Sequence, residues 1–332
     1  MHQILQGRET RVIRLVEHAY RLHGTNAAVN PPSYFLRIPD KPDARIIALP
    51  ASVRGDIQAD GIKWISSFPG NIESGLPRAS AVLILNDSRN GYPIACLEAS
   101  IISACRTAAS AALAADLLTR DRSRPTTVGF FGTGLIARYV HAYLTAAEWT
   151  FAEVGLFDLE ERHAASFAQS LEEQGTGGAV TVHSSPEELV KSADLLIFAT
   201  VAPAPHIDDR SWFSHHPVVL HLSLRDLAPD VILSAFNVVD DIAHCLNANT
   251  SVHLAEQLTD GRQFLAGTLY DIMTGAVSVP ASQTVIFSPF GLGLLDITVG
   301  KYVYDEVRRQ GDLTPVNDFF FDLDRHRPPA VR

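Results

Sequence analysis

The sequence has few cysteines, and none of them lies at a metal-binding spacing. Its 332 residues contain three, Cys96, Cys105 and Cys245, an odd number without a CxxC pair. This pattern indicates neither a disulfide framework nor a zinc knuckle, and buried, unreactive thiols are expected. The histidines show no metal spacing either, so the sequence predicts no metal site.

The chain also has little of what membrane and nucleic-acid proteins need. No apolar run approaches the roughly 20 residues of a membrane span, and no apolar segment follows a basic N-terminus. The 27 basic residues are outnumbered by 37 acidic ones, which gives a formal charge of −10, and they form no basic block. Nucleic acid and anionic membranes are therefore not expected as partners, and a cytoplasmic location is predicted.

The length and the hydrophobic content of 46% fit two domains. Apolar residues at helical spacing predict a helix over residues 9–23, and an alanine-rich helix is predicted over 98–120. Between 33 and 87, the short runs YFLRI, ARIIALP, IKWISSF and SAVLILND are separated by turn residues, which is typical of an antiparallel sheet.

After the polar segment DRSRP at 121–125, predicted strands and helices alternate. This alternation predicts a doubly wound parallel sheet. The predicted fold is α/β, with a Rossmann domain over 123–292 and a split α+β domain for substrate binding and dimerisation. That second domain combines residues 1–122 with 293–332, since the last long helix, from Gly293 to Arg309, can return to the first part of the chain. The predicted strands lie at 127–131, 153–157, 179–183, 194–200, 217–223 and 236–241.

The turn GTGLIA at 132–137 is the most informative motif. Gly132 permits a tight turn, Gly134 lets the backbone approach a pyrophosphate, and Ala137 lets the helix pack closely on the strand. Asp158, at the end of the second strand, is placed to accept the ribose hydroxyls and to repel a 2′-phosphate, which favours NAD over NADP. In the alternative, Arg162 binds that phosphate. The predicted cofactor-binding residues are Gly132, Thr133, Gly134, Leu135, Ile136 and Asp158, with Thr200, Val201, Ser223 and Leu224 after later strands.

Asp226 follows the strand PVVLHLS by a short turn, where a nicotinamide ring would lie. It is a candidate acid/base, and the alternative is an aspartate that fixes a turn or caps a helix. His206, within APAPHID, also follows a strand and can approach the same cleft.

Five cations of the first domain form a second candidate group. Basic side chains on strands are usually solvated, but five of them around a cofactor cleft suit a substrate with several carboxylates. Composition does not decide between these interpretations. The predicted substrate-binding residues are Arg37, Arg45, Lys63, Arg78 and Arg106.

Together with the glycine turn and Asp226, several strings resemble the ornithine cyclodeaminase/μ-crystallin family over nearly the whole chain. They are RIIALP, GIKW, NDSRNGYPIACLEAS, SACRTAA (103–109) and SPFGLGLLD (288–296). The resemblance implies a Rossmann domain with a split, dimer-forming substrate domain. It implies that Arg45, Lys63 and Arg106 hold the substrate's α-carboxylate region, and that Asp226 is the acid/base. Asp226 and Lys63 are the catalytic residues predicted on this basis.

Within the family, the strings YFLR, GIKWISS and PRASAVLILND resemble the branch of N-(2-amino-2-carboxyethyl)-L-glutamate dehydrogenases. The cyclodeaminase has no arginine matching Arg78. The resemblance implies NAD-dependent cleavage of this secondary amine to 2,3-diaminopropionate and 2-oxoglutarate for a siderophore or peptide antibiotic. The alternatives are ornithine cyclodeamination, reduction of a cyclic imino acid, and a non-catalytic nucleotide-binding protein. A homodimer is expected through the strands between Ser33 and Asp87, whose edges and apolar faces need cover.

Overall fold

The computed structural model of the protein describes residues 1–175 and 178–320. Its elements form two sheets with helices packed on them. The helices are α1 (His2–Leu5), α2 (Glu9–Gly24), α3 (Ser100–Leu118), α4 (Leu135–Ala146), α5 (Glu161–Glu173), α6 (Pro186–Ser192), α7 (Pro229–Leu233), α8 (Ile242–Cys245), α9 (Ser251–Thr259), α10 (Leu269–Thr274) and α11 (Gly293–Gln310). The strands are β1 (Ala28–Val29), β2 (Tyr34–Ile38), β3 (Lys41–Val53), β4 (Ala59–Ser67), β5 (Ala79–Asn86), β6 (Pro93–Glu98), β7 (Thr127–Phe131), β8 (Glu153–Phe157), β9 (Ala179–Val182), β10 (Leu195–Phe198), β11 (Val218–His221), β12 (Phe236–Val239), β13 (Leu265–Thr268) and β14 (Val285–Ser288).

Strands β1 to β6 form an antiparallel sheet in the order β1-β3-β4-β5-β6, with β2 also paired to the long β3. Because side chains alternate along a strand, one face of this sheet carries Leu49, Lys63 and Leu83 side by side. Helices α2, α3 and α11 pack together and cover that face. A Cβ at Gly300 of α11 would lie 1.9 Å from Leu83 Cδ2, so this contact between helix and sheet requires glycine.

Strands β7 to β14 form a parallel sheet in the order β13-β12-β14-β11-β10-β7-β8-β9. The chain moves outward from β7 to β8 and β9, then returns to the other side of β7 to build β10 and β11. The strand order therefore reverses between β7 and β10. Ligands of doubly wound sheets bind beyond the carboxyl ends of the strands at this point. The predicted fold class, a Rossmann-type parallel sheet with a smaller antiparallel sheet, is confirmed.

Three expectations about local structure were wrong. Residues 93–98 (PIACLE) were not predicted as a strand, because no turn residue separates them from the alanine-rich helix. In the structure, Glu98 ends β6 and α3 begins at Ser100. Strand β13 was missed because LAGT is short and contains glycine. Cys96 was expected to be buried, but it alternates with the buried Leu97 on β6 and faces outward.

Helix α3 is long and apolar enough to cross a membrane by its composition, and among the described residues it is the one helix of that kind. Of its apolar stretch, 78% is buried inside the protein. It packs on α2 and α4 as a core helix, and its alanines allow that close approach.

Candidate active site

The glycine turn lies where the strand order reverses. Gly132 follows β7 with φ of +77°, and a Cβ there would be 2.8 Å from the carbonyl oxygen of Ala199, so only glycine fits. Gly134 precedes α4, and the space around its Cβ position is open to 4 Å in the described structure. Among the described residues, no side chain caps this helix. Its first backbone N–H groups and positive dipole end therefore face open space suited to an anion.

Asp158 follows β8 and lies against this turn. One carboxylate oxygen accepts hydrogen bonds from the N–H and the hydroxyl of the buried Thr133, at 2.8 and 2.9 Å. The side chain of Leu135 is 49% exposed and that of Val201, after β10, is 59% exposed. The predicted cofactor residues thus follow the carboxyl ends of β7, β8 and β10, except for Ser223 and Leu224, which follow that of β11.

Asp226, after β11, is fully buried within a cluster of hydroxyl and imidazole groups. The hydroxyl of Thr200 donates to Oδ1, and the hydroxyl of Ser223 donates to Oδ2. Nε2 of His206 lies 3.1 Å from Oδ1, and Nε2 of His221 lies 3.3 Å from Oδ2. Thr200 and Ser223, predicted as cofactor residues, therefore bind the carboxylate of Asp226 with their hydroxyls.

This environment keeps Asp226 ionised. Burial alone would raise the pKa of its carboxyl group. The hydrogen bonds from His206, His221 and Ser223 outweigh burial and hold the pKa well below its usual range.

Leu224, in the turn that carries Asp226, has φ of +76°. A non-glycine residue in the left-handed region is uncommon, and such residues cluster at functional sites. The strain is held by a backbone hydrogen bond of 2.7 Å from Ser251 N–H to the carbonyl of Leu224.

Lys63 and Arg106 meet at Asp296, a residue that the sequence did not identify. Lys63 Nζ lies 2.6 Å from one carboxylate oxygen of Asp296, and Arg106 Nε lies 3.2 Å from the other. Asp296 is fully buried and Lys63 nearly so. Burial lowers the pKa of Lys63 to about 8, although the charge of Asp296 opposes that shift.

The guanidinium of Arg106 also packs on the loop after β14. A Cβ at Gly291, where φ is +92°, would lie 2.7 Å from Arg106 Nη1. The buried Asp240 fixes this loop, because its carboxylate accepts the N–H groups of Phe290 and Gly291 at 2.9 and 2.7 Å.

The other three predicted cations converge with a fourth. Arg37 and Arg45 are cross-strand neighbours, and Arg45 in turn neighbours Ser67, whose hydroxyl accepts a hydrogen bond of 2.8 Å from Arg78. Arg225 comes from the parallel sheet, where it donates to the carbonyl of Ala248 at 2.6 Å. These four residues, Arg37, Arg45, Arg78 and Arg225, are called the arginine cluster below.

The arginines of the cluster lie close enough for their charges to lower one another's pKa values. The pKa of Arg225 is lowered mainly by burial, and further by the charges of Arg45 and Arg37. The pKa of Arg78 is lowered by burial and by the charge of Arg45. Burial and Arg37 lower the pKa of Arg45. Within residues 1–175 and 178–320, no member of the cluster forms an ion pair with a carboxylate; their polar contacts go to Ser67 and to the Ala248 carbonyl.

Sequence reasoning missed His221, Arg225 and Asp296. The first two had a usable signal, because His221 ends β11 and Arg225 directly precedes Asp226 beyond the same strand end. Asp296 lies within SPFGLGLLD, one of the strings that carried the resemblance. Its pairing with Lys63 and Arg106 depends on the packing of α11, which no local pattern reveals.

Comparison with known proteins agrees with this architecture. The sequence model of the ornithine cyclodeaminase/mu-crystallin family matches residues 6–311. An alanine dehydrogenase of Archaeoglobus fulgidus is 28% identical over 297 residues, covering 87% of this chain and 88% of the relative. The N-((2S)-2-amino-2-carboxyethyl)-L-glutamate dehydrogenase of Staphylococcus aureus is 28% identical over 281 residues, covering 82% of each chain.

A solved structure, an archaeal alanine dehydrogenase dimer with bound NAD, superimposes with a TM-score of 0.83 at 25% identity. The alignment covers 94% of this chain and 95% of that one. The likeness thus extends over both sheets.

Proposed function

The chain belongs to the ornithine cyclodeaminase/mu-crystallin family, and from this membership we propose that it is an NAD-dependent amino acid dehydrogenase with a substrate of several carboxylates. The substrate proposed is N-(2-amino-2-carboxyethyl)-L-glutamate, cleaved by oxidation and water to L-2,3-diaminopropionate and 2-oxoglutarate. The relative of that name in Staphylococcus aureus supports this choice. The observation on which the choice of substrate depends is the arginine cluster.

The residues of the glycine turn fit NAD. The open space at Gly134 faces the uncapped start of α4, where a pyrophosphate binds. Asp158 offers a carboxylate to ribose hydroxyls and would repel a 2′-phosphate, while the 74% exposed Arg162 lies 3.5 Å from Glu160. When bound, NAD supplies the hydride acceptor for the substrate's α-carbon.

Gly134→Val is expected to weaken NAD binding by about tenfold or more, because its side chain fills space that the pyrophosphate needs. The measurement is NAD titration by calorimetry. Gly70→Val is the matched control, since Gly70 has equally open surroundings and lies in the 3₁₀ helix Pro69–Ser74, outside the glycine turn. Equal NAD affinity in the Gly134→Val protein and the control would contradict the phosphate assignment.

The arginine cluster supports a substrate with more than one carboxylate. Positive charges that lie close together in a half-buried site repel one another and destabilise the unliganded site. Carboxylates that neutralise these charges are therefore expected to bind strongly. Lys63 and Arg106 alone would be enough to bind an α-amino acid with one carboxylate. The secondary amine proposed has three carboxylates, one more than glutamate.

The chain's residues prepare the substrate for oxidation at its C–N bond. Bidentate arginine contacts fix the carboxylates, so that the α-hydrogen points toward the nicotinamide site. The cluster around Asp226 handles protons of the amine and of the attacking water. The balanced reaction consumes the amine, NAD⁺ and water, and yields both products, NADH and one proton.

Incubating the protein with NAD and candidate amines, then identifying products by mass, tests the proposal. NADH together with 2-oxoglutarate and 2,3-diaminopropionate supports it. Release of ammonia from ornithine would favour the cyclodeaminase, and turnover of a cyclic imino acid would favour the reductase. Tight nucleotide binding without any turnover would favour a non-catalytic protein. We further propose that the protein is cytoplasmic and that the diaminopropionate supplies the biosynthesis of a siderophore or peptide antibiotic.

A homodimer is proposed through the outer face of the first sheet. Tyr34, Trp64 and Val82 occupy one cross-strand row there, with Leu36 beside it, and they are 74%, 40%, 39% and 50% exposed. Exposed apolar faces of this kind mark interaction sites. The dimeric alanine dehydrogenase of similar fold supports a second copy as the occupant.

Light scattering at micromolar concentration is expected to give twice the 36.1 kDa of one chain. Trp64→Glu introduces a charge into the middle of the apolar row, so this variant is expected to shift the mass toward one chain. A control, Ile72→Glu, changes an exposed apolar residue (53% exposed) of the 3₁₀ helix outside that row and is expected to leave the mass unchanged. A monomeric wild type would contradict the dimer.

A further inference from the structure

Asp226 has no lone pair left for a substrate. Each of its two carboxylate oxygens is contacted by one hydroxyl and one imidazole nitrogen: Thr200 and His206 at Oδ1, Ser223 and His221 at Oδ2. The whole residue has no exposed surface. A carboxylate held in this way orients its neighbours, but it does not itself meet a ligand that enters from the cleft.

His221 cannot meet the ligand either. It is fully buried, and the backbone N–H of Asp226 points to its Nε2 at 3.2 Å. Its Nε2 also lies 3.3 Å from Oδ2 of Asp226, and its Nδ1 lies 3.2 Å from the hydroxyl of Ser288. This imidazole therefore fixes the turn that carries Asp226.

His206 differs from both. Its side chain is 37% exposed, and it lies beyond the end of β10, on the edge of the sheet where the cofactor turn lies. The N–H groups of His206 and Ile207 both donate to the backbone carbonyl of Asp226, at 2.9 and 3.0 Å, which fixes the segment. Nε2 is directed at Asp226, and within the described residues Nδ1 has no hydrogen-bond partner.

We propose that His206 is the catalytic acid/base of this site, acting through Nδ1, and that Asp226 and His221 are positioning residues. The proposal rests on the proposed oxidation of a C–N bond. An ionised Asp226 requires the proton of His206 on Nε2, which leaves the lone pair of Nδ1 free to accept a proton. The same logic orients the imidazole in other carboxylate–histidine pairs.

The proton balance then follows. Nδ1 accepts one proton from the substrate's ammonium nitrogen, so that the lone pair of the resulting amine can form the C=N bond as hydride leaves the α-carbon. His206 passes that proton to solvent through its exposed edge. It next accepts a proton from the water that attacks the imine carbon and returns it to nitrogen as the C–N bond breaks. The hydroxyl proton of the carbinolamine is released as the keto group forms, and the released amine takes up one proton from solvent, so that one proton is released overall.

The low pKa of Asp226 agrees with this division of roles. A carboxyl group whose pKa is held well below its usual range is a weak base at neutral pH.

The first test is His206→Gln, which keeps a hydrogen bond to Asp226 but removes the base. Turnover is expected to fall on the order of 10- to 100-fold with NAD affinity unchanged, and added imidazole is expected to restore part of it. The pH profile of turnover is expected to lose the limb that the wild-type base produces. His18→Gln is the matched control, since His18 is 40% exposed and pairs with Asp56 at 2.6 Å on the surface. A His206→Gln protein with wild-type turnover and pH profile would overturn the proposal.

A second measurement does not depend on the substrate. Nitrogen NMR of the imidazoles is expected to show His206 in the Nε2–H form, and Asp226→Asn is expected to remove that preference. An Nδ1–H form in the wild type would overturn the assignment. If the wild type fails on the tricarboxylate but oxidises another amino acid, the proposed substrate is wrong, and the His206→Gln comparison is repeated with the active substrate.

Discussion

Asp226→Asn is expected to lower turnover about 100-fold or more while NAD affinity stays close to wild type. The carboxylate accepts from Thr200, Ser223 and His206, and an asparagine has one oxygen where these donors need two. Its amide NH₂ would face a hydroxyl or His206 Nε2, and the imidazole would then place its own proton on Nδ1. His206 then loses both the free lone pair of Nδ1 and the orientation that Asp226 gives its ring. The measurement is kcat with saturating NAD.

Stability must be separated from chemistry in this variant, because a buried network is altered. Asp271→Asn is a suitable comparison, since Asp271 accepts hydrogen bonds from Thr268 in the capping box of α10. Both variants are expected to lower the melting temperature, but only Asp226→Asn should lower kcat. Near-normal turnover of Asp226→Asn would reduce Asp226 to a residue that fixes a turn.

The sequence predicted the fold wherever local pattern and burial coincide. Strands β7, β8 and β11 are continuous apolar runs because both faces of a parallel sheet are covered, and they were located within about two residues. The glycine turn was found for a similar reason. Gly132 has a left-handed backbone and Gly134 has open surroundings. Both are requirements of the local backbone, so a short sequence motif is enough to predict them.

The candidate site was harder to predict because its contacts join distant segments. The Lys63–Asp296 pair spans 233 residues, and Arg225, which follows a strand of the parallel sheet, lies near Arg37 and Arg45 of the antiparallel sheet. The histidines show no metal spacing in the sequence, whereas the structure brings His206 and His221 together at Asp226. The five predicted cations also separate into two groups, which their sequence positions do not reveal.

This separation gives the two groups different roles. Lys63 and Arg106 already share a buried carboxylate, so their net charge toward a substrate is reduced by Asp296. The arginine cluster has no such counterion among the described residues, and its charges remain available. Discrimination between substrates with one and with several carboxylates is therefore expected to depend on the cluster rather than on Lys63.

Arg78→Ala tests that expectation and is expected to cost roughly 2 to 4 kcal/mol of transition-state binding, the scale of a charge-assisted contact truncated in a partly dry cleft. Arg78 is half-buried, its one described side-chain hydrogen bond goes to Ser67, and the rest of its guanidinium is available to a carboxylate. The loss is expected in kcat/KM for N-(2-amino-2-carboxyethyl)-L-glutamate and should shrink for an analogue without the glutamyl side-chain carboxylate. Arg54→Ala, at an exposed arginine paired with Asp60, should change neither value. Equal losses on both substrates would mean that Arg78 supports the sheet through Ser67 or holds a different carboxylate.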